Sequence, residues 1–161
     1  MAKISIDLNS GTVAKSEAVI GIDLGTTNSL IATINDADRL PYCITNDSDS
    51  IVPSALYFGK DAIHVGKKAI AQLVNEPENT IYSVKRLMGK SYTDLQDLNH
   101  NLNYQIIDNQ DQLVKVKIAN KQYSPIELSS YILKDLKIIA EQKLNNRVNK
   151  VVITVPAYFN D

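Results

Sequence analysis

The sequence predicts a mixed α/β domain, and three segments carry that prediction. Ala18-Val19-Ile20-Gly21-Ile22-Asp23 is a short apolar run, rich in β-branched residues, that ends in an acid; it reads as a buried strand. Ser124-Pro125-Ile126-Glu127 is a helix start: Ser caps, Pro occupies the first helical position, and Glu reaches back to close a capping box. Val151-Val152-Ile153-Thr154-Val155 is a second buried strand, ended by Pro156.

The other elements follow in order. Residues 1–17 have short extended patches and a Ser10-Gly11-Thr12 turn signal, and read as a loosely held N-terminal extension. After Asp23, Gly25-Thr26-Thr27-Asn28 is a turn, and Ser29 to Ile34 has no helical period. The unit is therefore an antiparallel hairpin rather than strand–loop–helix. Ile51 to Phe58 reads as one strand with Pro53 near its start. Val65 to Val74 reads as a helix with a stripe of Ala69, Ile70, Leu73 and Val74. Asn79-Thr80 offers a cap for a short helix from Ile81 to Met88, and Gly89 stands where a C′ glycine belongs. Gln105 to Ile107 and Leu113 to Ile118 flank a polar turn; the second alternates Val114, Val116 and Ile118 with Lys115 and Lys117, as a half-exposed strand does. From Ser124 a stripe of Leu128, Ile132, Leu136, Ile139 and Leu144 carries a helix to about Asn145.

Composition bounds the chemistry. The 161 residues suffice for one domain with a substantial core. Seventeen basic residues against eighteen acidic give no global pull toward nucleic acid or an anionic membrane. One cysteine cannot form an internal disulfide, which points to a soluble protein of a reducing compartment, and Cys43 reads as a small apolar filler. The apolar runs are far shorter than the roughly 18–20 residues that span a bilayer, and the N-terminus lacks the apolar core of a signal peptide.

Two places invite chemistry. In Asp23-Leu24-Gly25-Thr26-Thr27-Asn28-Ser29, Gly25 permits close backbone approach, the Thr26 and Thr27 hydroxyls suit phosphate oxygens, and Asp23 suits a hydrated Mg²⁺. It is not a P-loop, since the glycine–lysine signature and following helix are missing. The bland alternative is an ordinary β-turn. In the second place, helical spacing puts Lys85 on the apolar face of Ile81, Val84 and Met88. Either its ammonium points into a cleft, as a point charge for phosphate, or it flanks the stripe and snorkels to water. Arg86 points elsewhere and reads as a surface residue. His64 and His100 have no partner at metal-ligand spacing.

Taken together, three segments resemble the seventy-kilodalton heat-shock chaperones. Residues Ile20 to Ser29 look like that family's first phosphate loop. Asn79 to Gly89 resemble its catalytic-lysine segment, and Val152 to Asp161 its strand with the switch proline. The likeness covers nearly the whole chain from Ala18. The N-terminal extension, Ser29-Leu30-Ile31-Ala32-Thr33, Leu87-Met88-Gly89-Lys90-Ser91, Asp94-Leu95-Gln96 and Leu102-Asn103-Tyr104-Gln105 lean toward the HscA-like branch, which serves iron–sulfur cluster assembly; the housekeeping branch is the alternative.

The resemblance implies an actin-like (ribonuclease H-like) ATPase lobe, present in part, with a small α+β subdomain inserted. Residues 18–53 and 124–161 would form the base of that lobe and residues 54–123 the insertion. It implies ATP or ADP with Mg²⁺ as ligands, Gly25, Thr26, Thr27 and Asn28 on the phosphates, and Asp23 by the metal through water. Lys85 would be catalytic, and Pro156 would relay nucleotide state to a peptide-binding domain. It also implies a cytoplasmic chaperone working with a J-domain co-chaperone and an iron–sulfur scaffold protein. The family's second phosphate loop, adenosine contacts and catalytic carboxylate follow the switch-proline strand. Because phosphoryl transfer needs these groups assembled together, residues 1–161 alone are expected not to hydrolyse ATP appreciably. Two other readings stay open: a non-catalytic binding module, and a sugar kinase of the same superfamily, against which the lysine and proline segments speak. Exposed apolar surface on the 151–155 strand and the 126–144 helix is a further expectation.

Overall fold

The computed structural model describes residues 18–45, 49–95, 102–107 and 113–154. The N-terminal extension, His100 and Pro156 lie outside the described residues.

Strands β1 (Ala18–Asp23) and β2 (Asn28–Ile34) form the expected antiparallel hairpin, with Ile22 opposite Ile31 and Asp23 opposite Leu30. Ile20, Ile22 and Ile31 are buried. β3 (Pro41–Cys43) and β4 (Ile51–Pro53) pair with different stretches of β2, and β11 (Val148–Thr154) pairs in parallel with β1. The resulting five-stranded sheet runs β11-β1-β2-β3, with β4 beside β2.

Two smaller sheets complete the β structure. One has β5 (Ala55–Phe58) between β6 (Ile63–Val65) and β7 (Thr80–Tyr82). The other has β9 (Lys115–Ile118) between β8 (Gln105–Ile107) and β10 (Lys121–Tyr123). On β9 the alternation is as expected, with Val116 and Ile118 buried and Lys117 exposed.

A short helix, α1 (Lys67–Ile70), and a long one, α2 (Pro125–Leu144), stand among them. The α2 start is the capping box of the sequence. The Glu127 amide donates to Ser124 Oγ at 3.2 Å, and the Ser124 amide donates to Glu127 Oε2 at 2.7 Å. The Ser124 hydroxyl also donates to Glu127 Oε2, at 2.9 Å, and the two bonds from Ser124 to the carboxylate, backbone first and hydroxyl second, hold Glu127 below the usual carboxylate range. Leu128, Ile132, Leu136 and Ile139 are buried, as the stripe predicts. This helix packs against β1, β2 and β11 of the large sheet, and also against β5, β6 and the turn at residues 84–87. One hydrophobic cluster therefore runs from Ile20 through Leu136 to Leu56 and Leu87. Burial of each such side chain contributes about 1.5–3 kcal/mol.

The structure corrects several expectations. Ile51 to Phe58 is not one strand: it breaks at Ser54, because Val52 pairs with Ser29 in one sheet and Ala55 with Tyr82 in another. The helix of residues 65–74 shrinks to one turn that packs against β5 and β6 with Ala69 its only buried residue, while Ile70 and Val74 are 42% and 89% exposed. The helix of residues 81–88 does not form. Thr80–Tyr82 is recruited as a strand by β5, and a 3-10 turn, Val84–Leu87, follows. Sheet pairing thus overrides helical spacing. Gly89, at φ +68°, does take the left-handed conformation expected of it. Cys43 is exposed rather than a core filler, because β3 lies at the sheet edge. The 151–155 segment pairs as a strand through Thr154, but Val151, Val152 and Ile153 are 47%, 68% and 36% exposed, since β11 is the other edge. Ile126 and Ile138 of α2 are exposed as well.

Candidate functional site

The site grows from the ends of the two parallel strands. β1 runs out at Asp23 and β11 at Thr154, and these residues face each other in the ladder. The Thr154 hydroxyl donates to Asp23 Oδ1 at 2.6 Å. The Asp23 side chain is otherwise open to solvent, at the carboxyl ends of the parallel pair, where α/β sheets gather their ligands. Thr154 escaped the sequence reading. No local pattern marks it, because its role comes from pairing with a strand 131 residues away.

Beyond Asp23 the chain turns sharply. Leu24 tucks into the core, Thr26 is half-buried, and Thr27 and Asn28 are exposed. A Cβ on Gly25 would stand 2.0 Å from the Asn28 carbonyl oxygen. The glycine is therefore required by the turn's approach to itself. This tightness bunches the hydroxyls of Thr26 and Thr27 and the turn's amides into a few residues beside Asp23.

The turn is tied to the rest of the molecule at Ser54. The Ser54 amide donates to the Thr27 carbonyl at 2.8 Å, and the buried Ser29 and Ser54 hydroxyls bond each other at 2.8 Å. Ser54 is also where the chain leaves the large sheet for the β5 sheet.

Lys85 sits at the far end of that path. Asn28 pairs with Pro53, Ala55 pairs with Tyr82, and Lys85 comes three residues after Tyr82. Lys85 is half-buried in the 3-10 turn, between Val84 and Leu87, which are 2% and 1% exposed. It does not lie on an apolar helix stripe. Its neighbours anchor the turn against α2, and its own side chain is left partly accessible. The turn starts from Ser83, a non-glycine residue at φ +57° and ψ +28°.

The structure thus brings Asp23, Gly25, Thr26, Thr27, Asn28 and Thr154 together by hairpin and ladder, and connects Lys85 to them through two further strand pairs. Among the described residues, no group of three or more His, Cys, Asp or Glu side chains is placed to hold a metal directly. His64 stacks on Tyr57 at 5.9 Å. Two cavities lie apart from these residues: about 560 Å³ between Met88, Asp94, Lys115 and Ile126, and about 380 Å³ between β11 and α2. No described helix is long and apolar enough to cross a membrane.

Against this geometry stand the comparisons with known proteins. The chaperone protein HscA homologue of Haemophilus influenzae (strain PittGG) is 44% identical over 144 residues, which is 88% of this chain and 23% of that protein. The homologue of Vibrio campbellii is 45% identical over 142 residues, 88% of this chain and 23% of that protein. That of Pasteurella multocida is 38% identical over 152 residues, 94% of this chain and 24% of that protein. The chain spans about a quarter of the length of the curated relatives it matches. The family described as Hsp70 protein matches residues 19–161, and this chain belongs to it.

Proposed function

We propose that these residues are the N-terminal part of an HscA-like chaperone ATPase, in which Mg-ATP binding and hydrolysis drive client release and rebinding during iron–sulfur cluster assembly. The observation that carries the reading is the Gly25-tight hairpin beside Asp23 at the carboxyl ends of parallel β1 and β11. The family match supports it. In this reading the fold is actin-like. Residues 18–53 and 124–161 are the base of one lobe, and 54–123 the inserted subdomain. The division of the strands supports this: β1–β4 and β11 share one sheet, while β5–β10 form two others.

The residues fit the nucleotide and its metal. Asp23 is a hard oxygen donor, which suits Mg²⁺ rather than a soft metal. One Asp23 oxygen is engaged by Thr154, which fixes the carboxylate and leaves the other to accept from a metal-bound water. Bound Mg²⁺ supplies charge neutralisation on the phosphate oxygens. Gly25, Thr26, Thr27 and Asn28 hold phosphate oxygens with hydroxyls and backbone amides. Lys85 is the catalytic cation, opposing the charge of the transferred phosphoryl group from the neighbouring sheet. Pro156, two residues beyond Thr154, relays the nucleotide state. The intact protein works in the cytoplasm with a J-domain co-chaperone and an iron–sulfur scaffold protein.

Single-turnover ATP hydrolysis by the full-length chain tests the reading. Lys85→Ala should slow it by about 10²–10⁵, the range for losing a cation aimed at the transferred group. A rate within a few-fold of wild type overturns the assignment.

A further inference from the structure

Three observations meet just before Lys85. Tyr104, immediately ahead of β8, is 5% exposed, and its hydroxyl donates to the main-chain carbonyl of Tyr82 at 2.6 Å. The two rings meet edge-on, 5.6 Å apart and 82° between planes. Tyr82 is the last residue of β7, and Ser83, which follows it, is held in the left-handed region. A left-handed non-glycine residue is strained and persists only where its surroundings over-determine it.

The surroundings here are identifiable. Below the turn, Val84 and Leu87 are buried in the core that α2 shares. Within it, the Arg86 amide donates to the Ser83 carbonyl at 3.0 Å, and the Met88 amide to the Lys85 carbonyl at 3.4 Å. Above it, the Tyr104 hydroxyl fixes the carbonyl from which the turn departs. Burial pushes the Tyr104 phenol well above its ordinary range, with the Tyr82 ring adding to the rise and the Arg86 charge opposing it. The hydroxyl therefore keeps its proton and stays a donor at any physiological pH.

We propose that Tyr104 is a positioning residue for Lys85: its buried hydroxyl, through the Tyr82 carbonyl, sets the left-handed turn at Ser83 that presents the lysine. The inference rests on the reading that Lys85 faces the transferred phosphate. It adds a residue from the segment leading into β8 to a site otherwise built from the other two sheets and the turns that follow their strands. Tyr104→Phe removes the donor and keeps the ring.

Two measurements test this. In the 161-residue chain, amide hydrogen exchange at Arg86 and Met88 should quicken about five-fold in Tyr104→Phe, the factor for one net hydrogen bond. Exchange in the β9–β10 ladder should be unchanged. In the full-length chain, single-turnover hydrolysis is compared in wild type, Tyr104→Phe, Lys85→Ala and the double variant. Tyr104→Phe should slow turnover about 5–10-fold with nucleotide affinity unchanged, and add nothing once Lys85 is gone, as expected of coupled residues. An equal loss in both backgrounds, a loss of nucleotide affinity, or unaltered exchange at Arg86 and Met88 overturns the proposal. Lys85→Ala measured by itself shows separately whether the lysine assignment has failed, in which case this inference falls with it.

Discussion

The hairpin turn of residues 23–28 and the lysine turn of residues 83–87 are both expected to face phosphate, yet they are held in opposite ways. The hairpin turn is tied to Ser54 but shaped chiefly by its own backbone: Gly25 lies against the Asn28 carbonyl, and the flanking strands pair with each other. The lysine turn is shaped from outside. β5 recruits the strand before it, Tyr104 holds its first carbonyl, and α2 supports its buried face. Geometry written into a local stretch survives changes elsewhere in the molecule. Geometry imposed by neighbours is open to adjustment by them.

Substitutions that strike one turn and spare the other sharpen this contrast. Leu87→Ala should have the largest effect on stability, about 2–5 kcal/mol, because it empties a fully buried position beneath the lysine turn. Denaturant unfolding reads the loss, and amide exchange at Arg86 and Met88 should rise before any change at Ile31 in the hairpin ladder. Simultaneous loosening of both regions would break the contrast. Gly25→Ala should do the reverse. Its methyl collides with the Asn28 carbonyl, at about 1–3 kcal/mol, and in the full-length chain calorimetry should show weakened nucleotide binding. Retained affinity would mean that the tight hairpin does not shape the phosphate site. Ser83→Gly is the mildest. It relieves a left-handed residue but adds glycine's unfolded-state entropy, for a net gain of roughly 0.5 kcal/mol in thermal unfolding. A clear destabilisation would show that the Ser83 side chain, rather than its backbone angle, is what the turn requires.

The same contrast governs what was legible in the sequence. The hairpin, the Ser124–Glu127 capping box and the α2 stripe were readable because each is written in residues a few positions apart. Gly89 has the left-handed φ of the helix C′ position its sequence suggests, although it follows a 3-10 turn and not the expected helix. The lysine segment misleads because Ile81, Val84, Lys85 and Met88 have helical spacing, while the decisive partner of Thr80–Tyr82 is β5, some 25 residues earlier. Ile51–Phe58 was misread for the same reason: a continuous β-type run is silent about changing sheets at Ser54. Thr154 and Tyr104 carried no local signal, for their roles exist only once distant strands have met.

The parallel pairing of β1 with β11 also has a kinetic meaning. The β1–β2 hairpin closes over a handful of residues, whereas the Asp23–Thr154 bond closes a loop of 131. Long closures are entropically costly and form late in folding. On this account the 23–28 turn should form early, and the Asp23 carboxylate should be fixed only when β11 docks. Until that moment the turn stands without its oriented acid, so if the turn binds Mg-nucleotide as proposed, that binding would report the completion of folding.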